Sequence, residues 1–177
     1  MLTAKQVIEH FKLGPLPVEG GYFRQTYCSE ERIPRTALPE RYARQKALGT
    51  AIYFLLTADP DCFSALHKLP TDEVYHFYLG DPVELLLLYP EGRSERVVLG
   101  QDILNGQQVQ FVVPRGVWQG SRLKPGGNWA LLGTTMAPGF DPSDYAGGER
   151  DELLRRYPGE AGMIRALTRP GRSTRMN

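Results

Sequence analysis

The hydrophobic positions of this chain fall in short runs, alternating or continuous, cut apart by glycine, proline and aspartate, and few recur at helical spacing. Residues 50–57 and 83–89 are apolar on both faces, as strands covered on two sides are. Residues 62–68, 73–80, 95–99, 109–113, 118–123 and 129–136 read as further strands. The breaks between them carry turn chemistry: Asp59-Pro60-Asp61, Gly80-Asp81-Pro82, Pro90-Glu91-Gly92, Asn105-Gly106, Pro114-Arg115-Gly116 and Pro125-Gly126-Gly127-Asn128. Near the start, Gly20-Gly21 permit a tight entry into an aromatic and β-branched strand running to Tyr27, with Tyr22, Arg24 and Thr26 on one face.

Helical signal is confined to the ends. Thr3 with Gln6 is a capping-box pattern, Val7, Ile8 and Phe11 share a face, and Gly14 is the expected stop, which predicts a short helix against the outside of a sheet. Leu153, Leu154 and Tyr157, then Met163, Ile164 and Leu167, predict helices over 149–157 and 160–167. Residues 29–49, rich in charge and proline, show no period and are expected to form a long mobile excursion. Roughly eight or nine strands in series, with no regular crossover helix, exclude a parallel α/β sheet and predict a mainly β barrel. The boundaries expected are a single domain over 1–169 and a frayed, disordered tail over 170–177.

Composition narrows the functional classes. A chain of 177 residues with 19 Gly and 14 Pro suits short strands joined by turns around one core. With 21 Lys plus Arg against 20 Asp plus Glu, the net charge of +1 gives no general attraction to nucleic acid or to an anionic membrane, and neither is expected as a partner. The arginines of the last third are interspersed with acids at helical spacing, as on a solvated face. No apolar run approaches the roughly 18 residues of a membrane helix, and the N-terminus lacks the apolar core of a signal peptide, so a cytoplasmic location is expected. Cys28 and Cys62 lie outside any CxxC spacing and read as reduced thiols without a role. There is no P-loop, GxGxxG or GxSxG, which removes phosphate-cradling and esterase chemistry.

The chemistry concentrates in residues 63–80, which hold His67, Glu73 and His76. A strand ending near His67, a proline-marked turn and a return strand from Glu73 would bring an imidazole and a carboxylate to one concave surface. Alternation puts Glu73, Tyr75, Phe77 and Leu79 on one face and Val74, His76 and Tyr78 on the other, so His76 is expected to point outward. His67, Glu73, six residues and Gly80 resemble the first metal-site motif of the cupin superfamily, with Leu69 where a second histidine usually stands. Pro114-Arg115-Gly116-Val117-Trp118-Gln119 is similar to the second motif, with Gln119 in place of the usual histidine. Glu19 to Arg24, residues 64–80, 114–119 and 137–141 together resemble an uncharacterised cupin branch, the domain of unknown function 985.

The resemblance implies a double-stranded β-helix, the cupin jelly-roll barrel, with a short N-terminal helix and C-terminal helices, commonly a homodimer and without a settled activity. It directs attention to a barrel pocket holding His67, Glu73 and Gln119. Leu69 cannot ligate and a glutamine carbonyl is a weak donor, so no cofactor is assigned; a divalent metal, if bound, would take His67, Glu73 and Gln119. A histidine beside a carboxylate also suits proton transfer next to a carbonyl, as in epimerases and isomerases, with His67 and Glu73 as the catalytic candidates. Gln119, Arg24, Phe63, Tyr75 and Phe77 are candidates for binding a small polar or sugar-like molecule. Three readings stay open: acid–base enzyme, non-catalytic binding or storage protein, and metal-dependent dioxygenase or isomerase. Trp118, if Gln119 faces inward, faces outward and would be covered by a partner chain or by the N-terminal helix.

Overall fold

The computed structural model describes residues 2–171 and 173–176. In chain order the elements are α1 (Ala4–Phe11), β1 (Gly14–Pro15), β2 (Tyr22–Cys28), β3 (Arg32–Ile33), β4 (Lys46–Ala47), β5 (Thr50–Thr57), β6 (Ser64–Lys68) and β7 (Glu73–Gly80). They continue with β8 (Val83–Leu88), β9 (Ser94–Leu99), β10 (Gln110–Val113), β11 (Trp118–Leu123), β12 (Trp129–Met136), β13 (Ala146–Gly147), α2 (Arg150–Arg156) and α3 (Ala161–Ala166). One sheet has the order β1-β2-β5-β12-β7-β10 and the facing sheet β13-β6-β11-β8-β9, all pairs antiparallel, with β3 and β4 a separate ribbon. From β5 onward the chain passes repeatedly between the sheets, and that winding makes the expected jelly roll.

Period-2 side-chain alternation explains where the apolar surface goes. Phe54, Leu56, Phe77, Leu85, Leu87 and Leu132 point between the sheets and form the main core. Leu66, Leu86, Leu88 and Trp118 point out of the second sheet and pack under Leu153, Tyr157, Met163, Ile164 and Leu167 of the C-terminal helices and the loops after them. The leucine run of β8 is thus apolar on both faces because both are covered. Trp118 is covered from within the chain by these C-terminal elements, not by α1, and Lys68 Nζ lies 4.5 Å over its ring. Helix α1 packs Val7 on Leu55 and Leu131, outside the first sheet as expected.

Three local expectations change. The first helix stops at Phe11, with Lys12 in the left-handed region donating its N–H to Glu9 and Ile8, and Gly14 begins a strand instead. Residues 29–49 are anchored: Tyr42 is 1% exposed with its hydroxyl 2.8 Å from that of Thr71, and the buried Lys46 ammonium pairs with Asp144. On β7 the pairing shifts between Leu131 and Leu132, so Leu79 loses the parity of Glu73, Tyr75 and Phe77 and faces solvent. Gly80 follows with a φ of +100, where an added Cβ would collide with the Trp129 carbonyl. Of the expected tail, residues 172 and 177 lie outside the described residues, while the Thr174 carbonyl accepts a 2.8 Å bond from Gly147 N–H.

If the C-terminal helices are part of the core, Ile164→Ala should lose about 2–5 kcal/mol of stability in urea unfolding, the cost of a buried aliphatic truncation. Leu104→Ala, at a position 94% exposed, should change it by less than about 0.5 kcal/mol. Equal effects at the two positions would contradict this packing.

Candidate functional site

The antiparallel register sets the inner wall of the first sheet in cross-strand rows. Gln25, Ile52, Thr134 and Tyr75 lie side by side in one, and Thr50, Met136 and Glu73 in the next. Phe23 faces Phe54 in a third. His67 on β6 and Leu69 just after it come from the facing sheet, because β6 and β7 belong to different sheets and the 69–72 turn crosses between them. The expected imidazole and carboxylate therefore face each other across a gap instead of along one hairpin. With Glu19, Phe140 and Met176 these side chains enclose a cavity of about 80 Å³.

An irregularity in β6 orients the imidazole. His67 pairs with Gln119 and Ser64 with Ser121, so two residues, Ala65 and Leu66, stand opposite Gly120. A Cβ at Gly120 would press at 3.1 Å on Leu66 and on the Ser64 carbonyl, which is why the bulge sits opposite a glycine. Ala65, released from the ladder, donates its N–H to the Glu19 carbonyl at 2.9 Å. Its own carbonyl lies 2.8 Å from His67 Nδ1. A carbonyl only accepts, so Nδ1 carries the hydrogen and, in the neutral ring, Nε2 is left with a lone pair. Tyr145 stacks on the ring with centroids 5.0 Å apart.

Among the described residues, the one carboxylate oxygen within 4.0 Å of the imidazole belongs to Glu19, whose Oε2 is 4.0 Å from Nε2. Glu73 is therefore not the group that orients His67; the Ala65 carbonyl and the Tyr145 ring are. Glu19 is delivered by a closely constrained turn. Val18 adopts a φ of +69, costly for a β-branched residue, and Glu19 N–H returns to the Pro17 carbonyl at 2.8 Å. Arg169 Nη1 donates to the Glu19 carbonyl at 2.6 Å, and Ser64 Oγ donates to Glu19 Oε1 at 2.7 Å. Gly21, with a φ of +73, has the Phe54 ring where a Cβ would lie.

Glu73 is buried, and burial raises its pKa above the usual carboxylate range, with the field of His67 and hydrogen bonds from Thr134 and Gln119 acting in the opposite direction. Gln119 donates Nε2–H to Glu73 Oε2 at 2.7 Å and does not line the cavity, so it positions the carboxyl instead of reaching a ligand. Its Oε1, like Ser121 Oγ on the same face of β11, is buried without a partner among the described residues. Tyr75 lines the cavity, and burial together with the fields of Glu73 and Glu19 raises its pKa well above the ordinary phenol value, keeping it a hydrogen-bond donor.

The other sequence candidates lie elsewhere. Phe63 packs with the C-terminal helices under the Arg169 guanidinium, and Phe77 is core that does not reach the cavity. Arg24 is outside the barrel, its guanidinium 6.0 Å from the Tyr53 ring centroid. His76 is on the outer face, as alternation required, with Nε2 3.0 Å from Thr135 Oγ1 and Nδ1 3.3 Å from Gln110 Nε2. Glu19 was missed as a site residue, its one signal being an acid beside the Gly20-Gly21 pair, and nothing in the sequence marked Tyr145 as the ring that stacks on His67.

The donor set does not suit a divalent metal. Leu69 lines the cavity where a second imidazole would be needed, Gln119 turns its N–H toward Glu73, and no group of three or more His, Cys, Asp or Glu among the described residues could hold the ion. No helix among the described residues is long and apolar enough to cross a membrane.

Two facing antiparallel sheets wound as a jelly roll, with an inward imidazole and carboxylate, define a cupin-type barrel. The chain belongs to the cupin superfamily, in the branch described as DUF985, whose sequence profile matches residues 5–147. It is 31% identical over 151 residues to the uncharacterised Saccharomyces cerevisiae protein YML079W, covering 80% of this chain and 73% of the yeast protein. Among solved structures, protein SO0799 of Shewanella oneidensis is similar at a TM-score of 0.83 and 31% identity, over 96% of this chain and 99% of that one. A hypothetical protein from Leishmania major is similar at a TM-score of 0.83 and 28% identity, over 94% and 99% respectively.

The raised pKa of Glu73 has a definite consequence for stability. Between its values in the unfolded and folded chain the native state binds more protons, so the contribution of Glu73 is complete at low pH and falls as pH rises through the folded value. Glu73→Gln cannot ionise, and its stability relative to wild type should climb with pH across that window, by at most about 1.4 kcal/mol per pH unit. Urea unfolding from about pH 4 to 8 measures the difference; a difference independent of pH would contradict the assignment.

Proposed function

We propose that the barrel cavity binds a small polar carbonyl or sugar-like metabolite and moves a proton on it without a metal, as epimerases and isomerases do. The observation that carries this reading is the Nδ1–H bond to the Ala65 carbonyl, which leaves Nε2 of a cavity-lining imidazole as a base. In the proposed step, Nε2 takes a proton from the carbon next to the carbonyl, and the electron pair of the broken C–H bond moves into an enol or enolate. Tyr75, a cavity-lining phenol that burial keeps neutral, would donate to the oxygen that gains charge. Glu73, whose proton is retained above the usual carboxylate range, is the acid on the opposite wall, and proton return completes the exchange. Glu19 would stabilise the imidazolium formed in between.

A cavity of about 80 Å³ encloses only the reacting part of a sugar-sized compound, so the remainder would extend through the mouth. Incubating the protein with a panel of small hydroxy-carbonyl compounds in D2O, and following deuterium at the carbon beside the carbonyl by NMR, tests the chemistry. Wild type should exchange and His67→Gln should exchange about 10²–10⁴-fold more slowly. Equal exchange in both would remove His67 as the base, and a compound bound without exchange would favour a non-catalytic binding protein.

A further inference from the structure

The charge and texture of the cavity wall limit what can enter. Two carboxyl groups, Glu19 and Glu73, line it, and His67 is the basic side chain among the lining residues; no lysine or arginine lines it among the described residues. A bound carboxylate or phosphate would therefore share a small, partly dry space with the Glu19 carboxylate and the buried Glu73 carboxyl, and find no fixed cation to offset its desolvation. Much of the rest of the wall is aromatic or polarizable, with Phe23, Phe54, Tyr75, Phe140, Met136 and Met176 set among aliphatic and neutral polar side chains such as Ile52 and Thr134. Ring faces attract cations through their quadrupole, and aromatic rings combined with carboxylates are the surroundings in which ammonium groups are recognised.

We infer that the cavity selects a small organic cation, an amine or quaternary ammonium group carried by the ligand, in preference to a neutral or anionic group of the same shape. The two acidic side chains play different parts. Glu19 is fixed by Ser64 and by the backbone bonds of its turn, so its carboxylate is a positioned counter-charge. Glu73, held by Gln119 and Thr134 and kept protonated over a wider range by burial, adds a polar acceptor beside the Tyr75 row and not a second fixed charge. This inference rests on reading the cavity as a small-molecule site, but it is independent of any proton transfer by His67.

A charge series of one shape provides the test. Choline, 3,3-dimethyl-1-butanol and 3,3-dimethylbutanoate share a branched head and differ in charge, and isothermal titration of the wild-type chain with each compares them directly. Choline should bind about tenfold or more tighter than the neutral alcohol, with the carboxylate weakest, and Glu19→Gln, which keeps an acceptor for Ser64, should narrow the gap between choline and the alcohol. Binding of the alcohol as tightly as choline overturns the cation preference while leaving the cavity a small-molecule site. Absence of choline binding, or an unchanged gap in Glu19→Gln, overturns it as well. The deuterium exchange lost or kept in His67→Gln reports on the chemistry separately.

Discussion

The hydrogen bond from His67 Nδ1 to the Ala65 carbonyl is the interaction on which the site depends. It exists because β6 carries one residue too many opposite Gly120, which frees both polar groups of Ala65 from the ladder. The N–H fastens the Glu19 turn and the carbonyl fastens the imidazole, so a single bulge places His67 and its nearest carboxylate together. A regular strand would satisfy Ala65 across the sheet and leave His67 free to rotate. Ser64 and His67 face inward together only because the extra residue resets the alternation between them.

Across the cavity the first sheet supplies a complementary environment. Glu73 is buried next to Thr134 and Gln119, and burial outweighs the fields and hydrogen bonds that favour its charge. Two groups that titrate in ordinary water are thus set in unequal surroundings, one against a backbone carbonyl and the other against an amide and a hydroxyl. The second wall of protection is remote: the C-terminal helices cover the outside of the second sheet, so that Leu86, Leu88 and Trp118 brace the strands that carry His67 and Gln119.

Most of the fold was legible because strand alternation and turn chemistry agree along the chain. The strands over 50–57, 73–80 and 129–136 lie where the pattern put them. His67 and Glu73 were recognisable by type and spacing, and both reach the cavity. What sequence could not fix was sheet membership: the 69–72 turn reads like a hairpin but carries the chain across the barrel, which separates the two residues. Bulges were the other blind spot. One turns Leu79 outward, and the one opposite Gly120 decides how His67 is held, although a glycine within a strand was a usable sign of it. Phe63 and Arg24 misled because aromatic and basic strand residues look alike on inner and outer faces; only packing against the C-terminal helices or Tyr53 separates them.

The tautomer of His67 is the most direct measure of this account. Long-range ¹H–¹⁵N correlation spectra of ¹⁵N-histidine-labelled protein, with His67 identified by comparison with His67→Gln, report which ring nitrogen carries the hydrogen. With the neutral ring held by Ala65, Nδ1 should be protonated and Nε2 should show the shift of a bare nitrogen. A neutral His67 protonated at Nε2 would contradict it, because the imidazole would then present a donor to the cavity instead of a lone pair.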